Sequence, residues 1–307
     1  MIIVCGEALI DEVRTTDGSR RATPGGGPFN TARALARLGV PAAFVGRLSE
    51  DRSGTELAGL LKADGVSLRW ASVGPEPTTI AVADVDSAGV AEYRFQVEGT
   101  SAPNLTEEML PHSFGPGVDA VHVGTLGLVL EPMATTLIEL VRRERDTRAV
   151  MLDPNIRAGL VPDDRYRERI REAISNSTIV KASDSDLAWL YPDLTYKDAS
   201  DKLLRSGVRL VVVTLGASGA HGAHAAHRVQ VEAVPVDVVD TIGAGDAFGA
   251  ALMAWLHDQG RLQRDLSLDP DALRAALEYA CLAAAITCTR AGANPPWKRE
   301  MIAAGQD

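Results

Sequence analysis

Short apolar segments alternate with amphipathic segments along most of this 307-residue chain. Apolar runs rich in β-branched residues predict strands, whereas apolar residues repeated every three or four positions predict helices. We predict strands near 2–6, 42–47, 120–124, 149–153, 178–182 and 209–215. We predict helices near 30–39, 53–64, 132–145, 164–175, 197–205, 245–258 and 270–288. The alternation indicates right-handed βαβ units, and therefore a mostly parallel sheet with helices on both faces.

Two early segments interrupt this alternation. Residues 79–86 and 90–97 alternate in polarity around Ser87-Ala88-Gly89, which predicts a β-hairpin, and residues 9–24 could add one or two strands. A small sheet that stands off the main core would make a lid, formed by about 9–24 and 76–100. The alternative is a hairpin at a sheet edge that does not move. We expect residues 1–307 to form a single folding unit.

Composition narrows the range of partners. With 46% hydrophobic and 23% charged residues, the chain has the balance of a globular enzyme. A net charge of −10 argues against nucleic-acid binding, which needs clustered Lys and Arg. Residues 2–5 are too short for a signal peptide or a membrane span, and the three cysteines form no disulfide pattern. We therefore expect a cytoplasmic protein that does not bind membranes.

The segment Asp240-Thr241-Ile242-Gly243-Ala244-Gly245-Asp246 precedes a run of apolar residues with helical periodicity. Glycines let the backbone turn tightly, and the N-terminus of the following helix favours an anion. A carboxylate at Asp246 would repel a phosphate unless it acts as a base on an incoming hydroxyl. The pattern indicates phosphoryl transfer, although the same residues also fit a simple turn with an acidic residue in the first helical turn.

A second glycine-rich loop, Gly25-Gly26-Gly27-Pro28-Phe29-Asn30, opens another predicted helix. Three consecutive glycines expose backbone that a polyhydroxylated ligand could approach, and the Asn30 amide can donate and accept hydrogen bonds. A plain connection between loop and helix is the alternative. The sequence contains no Gly-x4-Gly-Lys-Ser/Thr loop, which excludes the P-loop kinases.

Both glycine loops resemble the signature regions of the PfkB (ribokinase-like) sugar kinase family, and further matches follow in family order along nearly the whole chain. They are Gly6-Glu7-Ala8-Leu9-Ile10-Asp11, Asp153-Pro154-Asn155-Ile156-Arg157 and Val213-Thr214-Leu215-Gly216-Ala217-Ser218-Gly219. The resemblance implies a ribokinase-like fold, a three-layer α/β/α sandwich with a mostly parallel central sheet and a small β-sheet lid. It also implies a kinase that uses ATP and Mg²⁺.

The resemblance assigns roles to the two glycine loops. The position of Asp246 is that of the catalytic base, and the turn of Gly243, Ala244 and Gly245 holds the transferring phosphate. The sugar hydroxyls would be bound by Asp11, Gly26, Gly27 and Asn30.

The Asp153 motif is similar to that of fructokinases and 2-keto-3-deoxygluconate kinases. There the residue matching Arg157 reaches substrate or phosphate, so we assign Arg157 to catalysis and Asn155 to substrate binding. A guanidinium offers planar bidentate donors to phosphate oxygens. The alternative is a surface turn capped by Asp153.

On the nucleotide side the chain departs from many relatives. Ser183 and Asp186 stand where these carry Asn and Glu, and the shorter Asp186 would act on hydrated magnesium only through water. The expected nucleotide contacts are Ser183, Asp186, Thr214, Gly216, Gly219 and Cys281.

Some relatives bind a monovalent cation near the anion turn. The matching groups here are the Asp240 carboxylate and the carbonyls of Ile242, Thr287, Arg290 and Gly292. Pro296 replaces a serine that often completes the shell, so a potassium requirement stays open.

We expect transfer of the ATP γ-phosphate to a hydroxymethyl group of a small sugar, and fructose is the leading candidate. Within the family, 2-keto-3-deoxygluconate and then ribose or a nucleoside are the alternatives. An alternative from another class of protein is a non-catalytic sugar-binding regulator on a kinase scaffold. We also expect a homodimer formed through the lid.

Overall fold

The computed structural model describes residues 1–15, 20–85 and 91–305. The strands are β1 Ile2–Cys5, β2 Leu9–Thr15, β3 Arg20–Gly25, β4 Ala42–Val45, β5 Arg47–Ser49, β6 Ser72–Gly74, β7 Ile80–Val85, β8 Ala91–Gln96, β9 Ala120–Gly124, β10 Ala149–Asp153, β11 Ile179–Ser183, β12 Leu210–Thr214, β13 Ala220–His224 and β14 His227–Val231. The α-helices are α1 Gly27–Arg37, α2 Arg52–Ala63, α3 Met133–Glu144, α4 Asp163–Ser175, α5 Asp184–Leu190, α6 Tyr196–Arg205, α7 Ala244–Asp258, α8 Pro270–Cys288 and α9 Lys298–Ala304. In this part of the chain, no helix is both long and apolar enough to cross a membrane.

The main sheet has eight strands in the order β14-β13-β12-β11-β10-β9-β1-β4. The strands from β12 to β4 run parallel, and β13 and β14 form an antiparallel hairpin at one edge. The carboxyl ends of the parallel strands therefore lie along one edge, where ligands bind in sheets of this kind.

Helices cover both faces of this sheet. In β1, Ile2 and Val4 belong to one buried cluster, whereas Ile3 and Cys5 belong to another, because successive strand residues point to opposite faces. Residues of α1, α7 and α8 complete the first cluster, and residues of α3, α4 and α6 complete the second. The predicted three-layer α/β/α arrangement is confirmed.

The segments predicted to stand apart form a second sheet of four strands, in the order β3-β2-β7-β8. Residues 9–24 supply two of these strands, β2 and β3, which pair antiparallel, and β2 runs parallel to β7. The predicted hairpin is present as β7 paired antiparallel with β8. The turn Ser87-Ala88-Gly89 lies outside the described residues.

Several elements differ from the sequence prediction. Helix α1 begins at Gly27 rather than Asn30, because Gly26 caps it at φ 103° and Pro28 fits the first turn of a helix. The short pair β5 and β6 and the seven-residue helices α5 and α9 were not predicted. Elements this short have too few residues for a periodic pattern to emerge.

Close backbone packing at the end of β9 generates a stability prediction. Gly124 pairs with Asp153 in β10, and a Cβ on Gly124 would lie 1.9 Å from the Asp153 carbonyl oxygen. We expect Gly124→Ala to lower the free energy of unfolding by about 1–3 kcal/mol, because backbone must shift to relieve the overlap. Chemical denaturation measures the change.

The matched control is Gly59→Ala in the middle of α2, where a Cβ would meet nothing within 4 Å. Alanine favours a helix over glycine by roughly 0.5–1 kcal/mol, so this variant should be more stable. If both variants had equal stability, the predicted overlap at Gly124 would be wrong.

Candidate active site

A cleft of about 900 Å³ lies between the carboxyl ends of the main-sheet strands and the second sheet. It collects most of the residues predicted from sequence, although they come from distant segments. The predicted residues in its lining are Asp11, Gly26, Gly27, Asn30, Asn155, Arg157, Ser183, Asp186, Thr214, Ile242, Gly243, Gly245 and Asp246.

The predicted anion turn forms the N-terminus of α7. Gly243 is the N-cap residue and adopts φ 76°, in the left-handed region that glycine tolerates. A Cβ on Gly243 would lie 2.6 Å from the Ala293 Cβ, so contact with the loop between α8 and α9 also requires glycine at position 243. The first N–H groups of a helix have no partner within the helix, and they carry its positive partial charge. Gly243 and Gly245 line the cleft, so this end of α7 can bind an anion there.

Asp246 lies in the first turn of α7 and is 9% exposed. The side-chain amide of Asn30 donates a hydrogen bond of 2.9 Å to the Asp246 Oδ2 atom. Burial raises the pKa of Asp246 to about 6, while the Asn30 hydrogen bond opposes the shift by stabilising the carboxylate. A buried carboxylate with this pKa can accept a proton from a bound hydroxyl near neutral pH.

The glycine-rich loop before α1 is held by Glu7, a residue without a predicted role. Glu7 accepts hydrogen bonds from the Gly27 N–H, at 3.2 Å, and from the Thr125 hydroxyl. A Cβ on Gly27 would lie 2.6 Å from the Thr125 Cγ2 atom and 3.3 Å from the Asp246 Oδ1 atom. Glycine at position 27 therefore lets the loop approach Asp246 closely.

Two carboxyl groups on this side of the cleft have raised pKa values. Burial raises the pKa of Glu7 to about 7 and that of Asp11 to about 6. Asp11 lies on β2, paired with Thr23 of β3, so it reaches the cleft from the second sheet. Groups of this kind can exchange hydrogen bonds with the hydroxyls of a sugar.

The loop after β10 is held in a defined shape. Asn155 adopts φ 39°, and its side-chain oxygen accepts a 2.7 Å hydrogen bond from the exposed Arg157 guanidinium. The Ile156 N–H donates to the Asp186 Oδ1 atom at 2.8 Å. Asp186 also accepts from the N–H and hydroxyl of Ser183, at the start of α5. The carboxylate of Asp186 thus joins the Arg157 loop to the expected nucleotide side.

Lys181 is a charged residue that sequence reasoning left without a role. It lies on the buried strand β11, and its Nζ atom is 2.7 Å from the Asp153 Oδ2 atom. Burial alone would lower the pKa of Lys181, but the neighbouring carboxylates of Asp153 and Asp246 outweigh it and raise the pKa. A lysine inside an apolar strand could have indicated a buried ion pair, because a charged residue is rarely buried without a partner.

The remaining residues expected to contact the nucleotide differ in their relation to the cleft. Thr214 ends β12 in its wall, whereas the following turn places Gly216 at φ 56° and Gly219 at φ 85°. A Cβ on Gly219 would lie 2.0 Å from the Val231 carbonyl oxygen. Cys281 is buried in α8. Within the described ranges, the lining of the cleft does not include Gly216, Gly219 or Cys281.

Hydrogen bonds connect the loops that carry the residues of the predicted cation site. Asp240 accepts hydrogen bonds from the Ile242 N–H at 3.0 Å and the Gly292 N–H at 2.8 Å. The carbonyl of Thr287 accepts from the Arg290 N–H, and the carbonyl of Gly292 accepts from the Asn294 N–H. Each carbonyl oxygen has a second lone pair, so these hydrogen bonds leave both carbonyls able to accept another contact.

Comparison with known proteins agrees with this geometry. Residues 1–300 match the model of the pfkB family carbohydrate kinases. The chain belongs to this family. A fructokinase of Rhizobium leguminosarum bv. trifolii is 40% identical over 281 residues, which cover 89% of this chain and 86% of the relative. Fructokinase-2 of Solanum lycopersicum is 30% identical, over 96% of this chain and 92% of the relative.

A solved structure shares the fold. The crystal structure of a Vibrio cholerae O395 fructokinase, with fructose, ADP and calcium ion bound, superposes with a TM-score of 0.86 at 25% identity. The match covers 98% of this chain and 97% of that chain. The predicted ribokinase-like fold is confirmed. The chain is a carbohydrate kinase, and the roles of its individual residues are predictions.

The hydrogen bond between Asn30 and Asp246 generates a prediction. Asn30→Leu keeps a similar volume but removes the amide donor, so we expect the pKa of Asp246 to rise above its value of about 6. A pH titration of the carboxyl carbon by ¹³C NMR measures the pKa. Asn104→Leu, which removes an amide bonded to Glu76, is the control and should leave Asp246 unchanged. A lower pKa in Asn30→Leu would contradict this assignment.

Proposed function

We propose that this kinase transfers the γ-phosphate of ATP to a hydroxymethyl group of fructose. The observation that supports this most is the buried carboxylate of Asp246, hydrogen-bonded to Asn30 at the N-terminus of α7. Fructose is favoured because the relatives named above are fructokinases and one was solved with fructose bound. The alternatives from sequence, 2-keto-3-deoxygluconate and ribose, are tested as other sugars in the same assay.

In this proposal, Asp246 is the general base. The sugar hydroxyl lies against the Asp246 carboxylate, which takes its proton as the oxygen bonds to the γ-phosphorus. The bond from that phosphorus to the bridging oxygen breaks, and ADP leaves with the electron pair. The N–H groups of Gly245 and the first turn of α7 stabilise the phosphoryl oxygens. The proposal places the sugar hydroxyls against Asp11, Gly26, Gly27 and Asn30, and the Arg157 loop at the rim.

Magnesium enters this proposal with the nucleotide. Among the residues that the structure describes, no group of three or more His, Cys, Asp or Glu side chains could hold a metal ion. Asp186, the nearest candidate from sequence, already accepts from Ser183 and Ile156. Mg²⁺ commonly binds phosphates and keeps several waters, so it would contact Asp186 through water. When bound, it would neutralise charge on the phosphates of ATP.

Potassium is a further part of the proposal. The Asp240 carboxylate and the carbonyls of Ile242, Thr287, Arg290 and Gly292 would hold it behind the anion turn. The contacts of Asp240 with the Ile242 and Gly292 N–H groups bring the two loops together, and this supports the site. A cation there would steady the turn that Gly243 begins.

The second sheet is proposed to act as a lid. Asp11 and Val13 of β2, Ala81 of β7 and Phe95 of β8 line the cleft, so the sheet faces the sugar side. Closure would exclude water, which competes with the sugar as phosphoryl acceptor. We also propose a homodimer through this sheet, because its outer strands β3 and β8 are edges able to pair with another chain. A cytoplasmic location, where ATP is available, belongs to the same proposal.

Replacing the proposed base tests the mechanism. We expect Asp246→Asn to lower kcat by roughly 10²–10⁴ with little change in the KM for ATP, because an amide keeps the shape but cannot accept the proton. A coupled assay of ADP release with fructose measures both constants. Asp258→Asn, at the exposed C-terminal end of the same helix, is the control and should retain activity. If Asp246→Asn kept more than half of the wild-type kcat, the assignment of Asp246 as the general base would be wrong.

Lid closure is tested by hydrogen exchange. Saturating fructose should slow amide exchange in β2, β3, β7 and β8, because closure shields their backbone from water. Exchange in the buried core strands β9 and β10 should not change. Mass spectrometry locates the protection, and ATP without sugar serves as the control. Equal exchange of the four lid strands with and without fructose would count against a moving lid.

A further inference from the structure

The proposed mechanism does not use Lys181, a buried cation of the cleft. Lys181 is 4% exposed, lines the cleft and comes from the middle of β11, directly beneath the anion turn. Its Nζ atom is 3.1 Å from the position of a Cβ on Gly245. The ammonium group therefore lies against the first turn of α7 as well as against Asp153.

This placement brings the ammonium close to the positive end of a helix. The N-terminus of α7 carries positive partial charge, so an ammonium group beside it is repelled. Asp153 offsets part of this repulsion through the 2.7 Å contact with the Lys181 Nζ atom. An ammonium has three donors, and one of them is directed at Asp153. The Nζ atom lies beside Gly245, where the helix N-terminus and the ammonium together favour an anion.

Lys181 is better placed than Arg157 to act on charge in the cleft. The Arg157 guanidinium is exposed and donates to the backbone and side-chain oxygens of Asn155 in its own loop. Water screens a charge in that position. Lys181 is surrounded by protein, where a charge interacts more strongly with a nearby anion. A group fixed by Asp153 also needs little reorganisation during the reaction.

We propose that Lys181 is a catalytic residue that donates a hydrogen bond to the phosphoryl group as it passes from ATP to the sugar. The ammonium neutralises negative charge on the phosphoryl oxygens and keeps its proton throughout. Asp153 is the positioning residue that holds Lys181 toward Gly245. This inference rests on the proposed function, because it needs a phosphoryl group at the anion turn.

The competing explanation is that Lys181 only neutralises buried Asp153. A double variant separates the two, because Asp153→Asn combined with Lys181→Met removes both charges and leaves neither unpaired. We expect Lys181→Met and the double variant each to lower kcat by roughly 10²–10³, with KM for fructose and ATP within about threefold of wild type. Recovery of the double variant to within about fivefold of wild-type kcat would overturn the proposal.

Two further measurements keep the test decisive. Lys298→Met removes a lysine that pairs with Asp258 on the surface, and it should leave kcat unchanged. Aluminium fluoride mimics the transferring phosphoryl group, so it should tighten ADP binding to the wild type in the presence of fructose. Calorimetry should show this tightening lost in the double variant, which a purely structural lysine would not cause. Equal tightening in both proteins would overturn the proposal.

A wrong substrate assignment and a wrong role for Lys181 give different experimental results. If the wild type phosphorylates another sugar but not fructose, the substrate proposal is wrong, and the Lys181 variants are then measured with the accepted sugar. If Lys181→Met alone does not fold, the double variant still carries the test, because its thermal unfolding shows whether it is native. A native double variant with wild-type kcat would refute the role of Lys181.

Discussion

The hydrogen bond between Asn30 and Asp246 joins two segments that are 216 residues apart in the chain. Asn30 lies in the first turn of α1 and Asp246 in the first turn of α7, and both helices pack on the same face of the main sheet. Their N-termini therefore meet above the carboxyl ends of the strands. The Gly26-Gly27 loop and the anion turn can face each other only because this pair of helices is in place.

Burial then sets the chemistry of the cleft. The chain carries a net charge of −10, and several carboxyl groups line a site that binds phosphate in our proposal. Desolvation raises the pKa of Glu7 to about 7, which reduces its negative charge near neutral pH, whereas Asp246 and Asp11, with pKa values of about 6, stay mostly ionised there. The N-terminus of α7 and the ammonium of Lys181 add positive charge at one point. An acidic protein can thereby offer a local site for an anion.

Much of the fold could be predicted from local patterns. The buried strands β1, β9 and β10 are runs of apolar residues, and α3 and α6 show clear helical periodicity, so their order predicted the parallel sheet. Short elements such as β5, α5 and α9 were not found, because a few residues carry little periodicity. The start of α1 at Gly27 depended on cap geometry, which a periodic pattern does not describe.

The sequence by itself determined the two glycine loops, the acidic residue after the anion turn and the family to which the chain belongs. Glycines and a carboxylate at fixed spacing carry that information locally. Only the tertiary structure decided that Glu7 supports the Gly27 loop and that Lys181 lies between Asp153 and Gly245. These contacts join residues from different strands and helices. Their distances, and the burial that shifts their pKa values, depend on packing and not on any single segment.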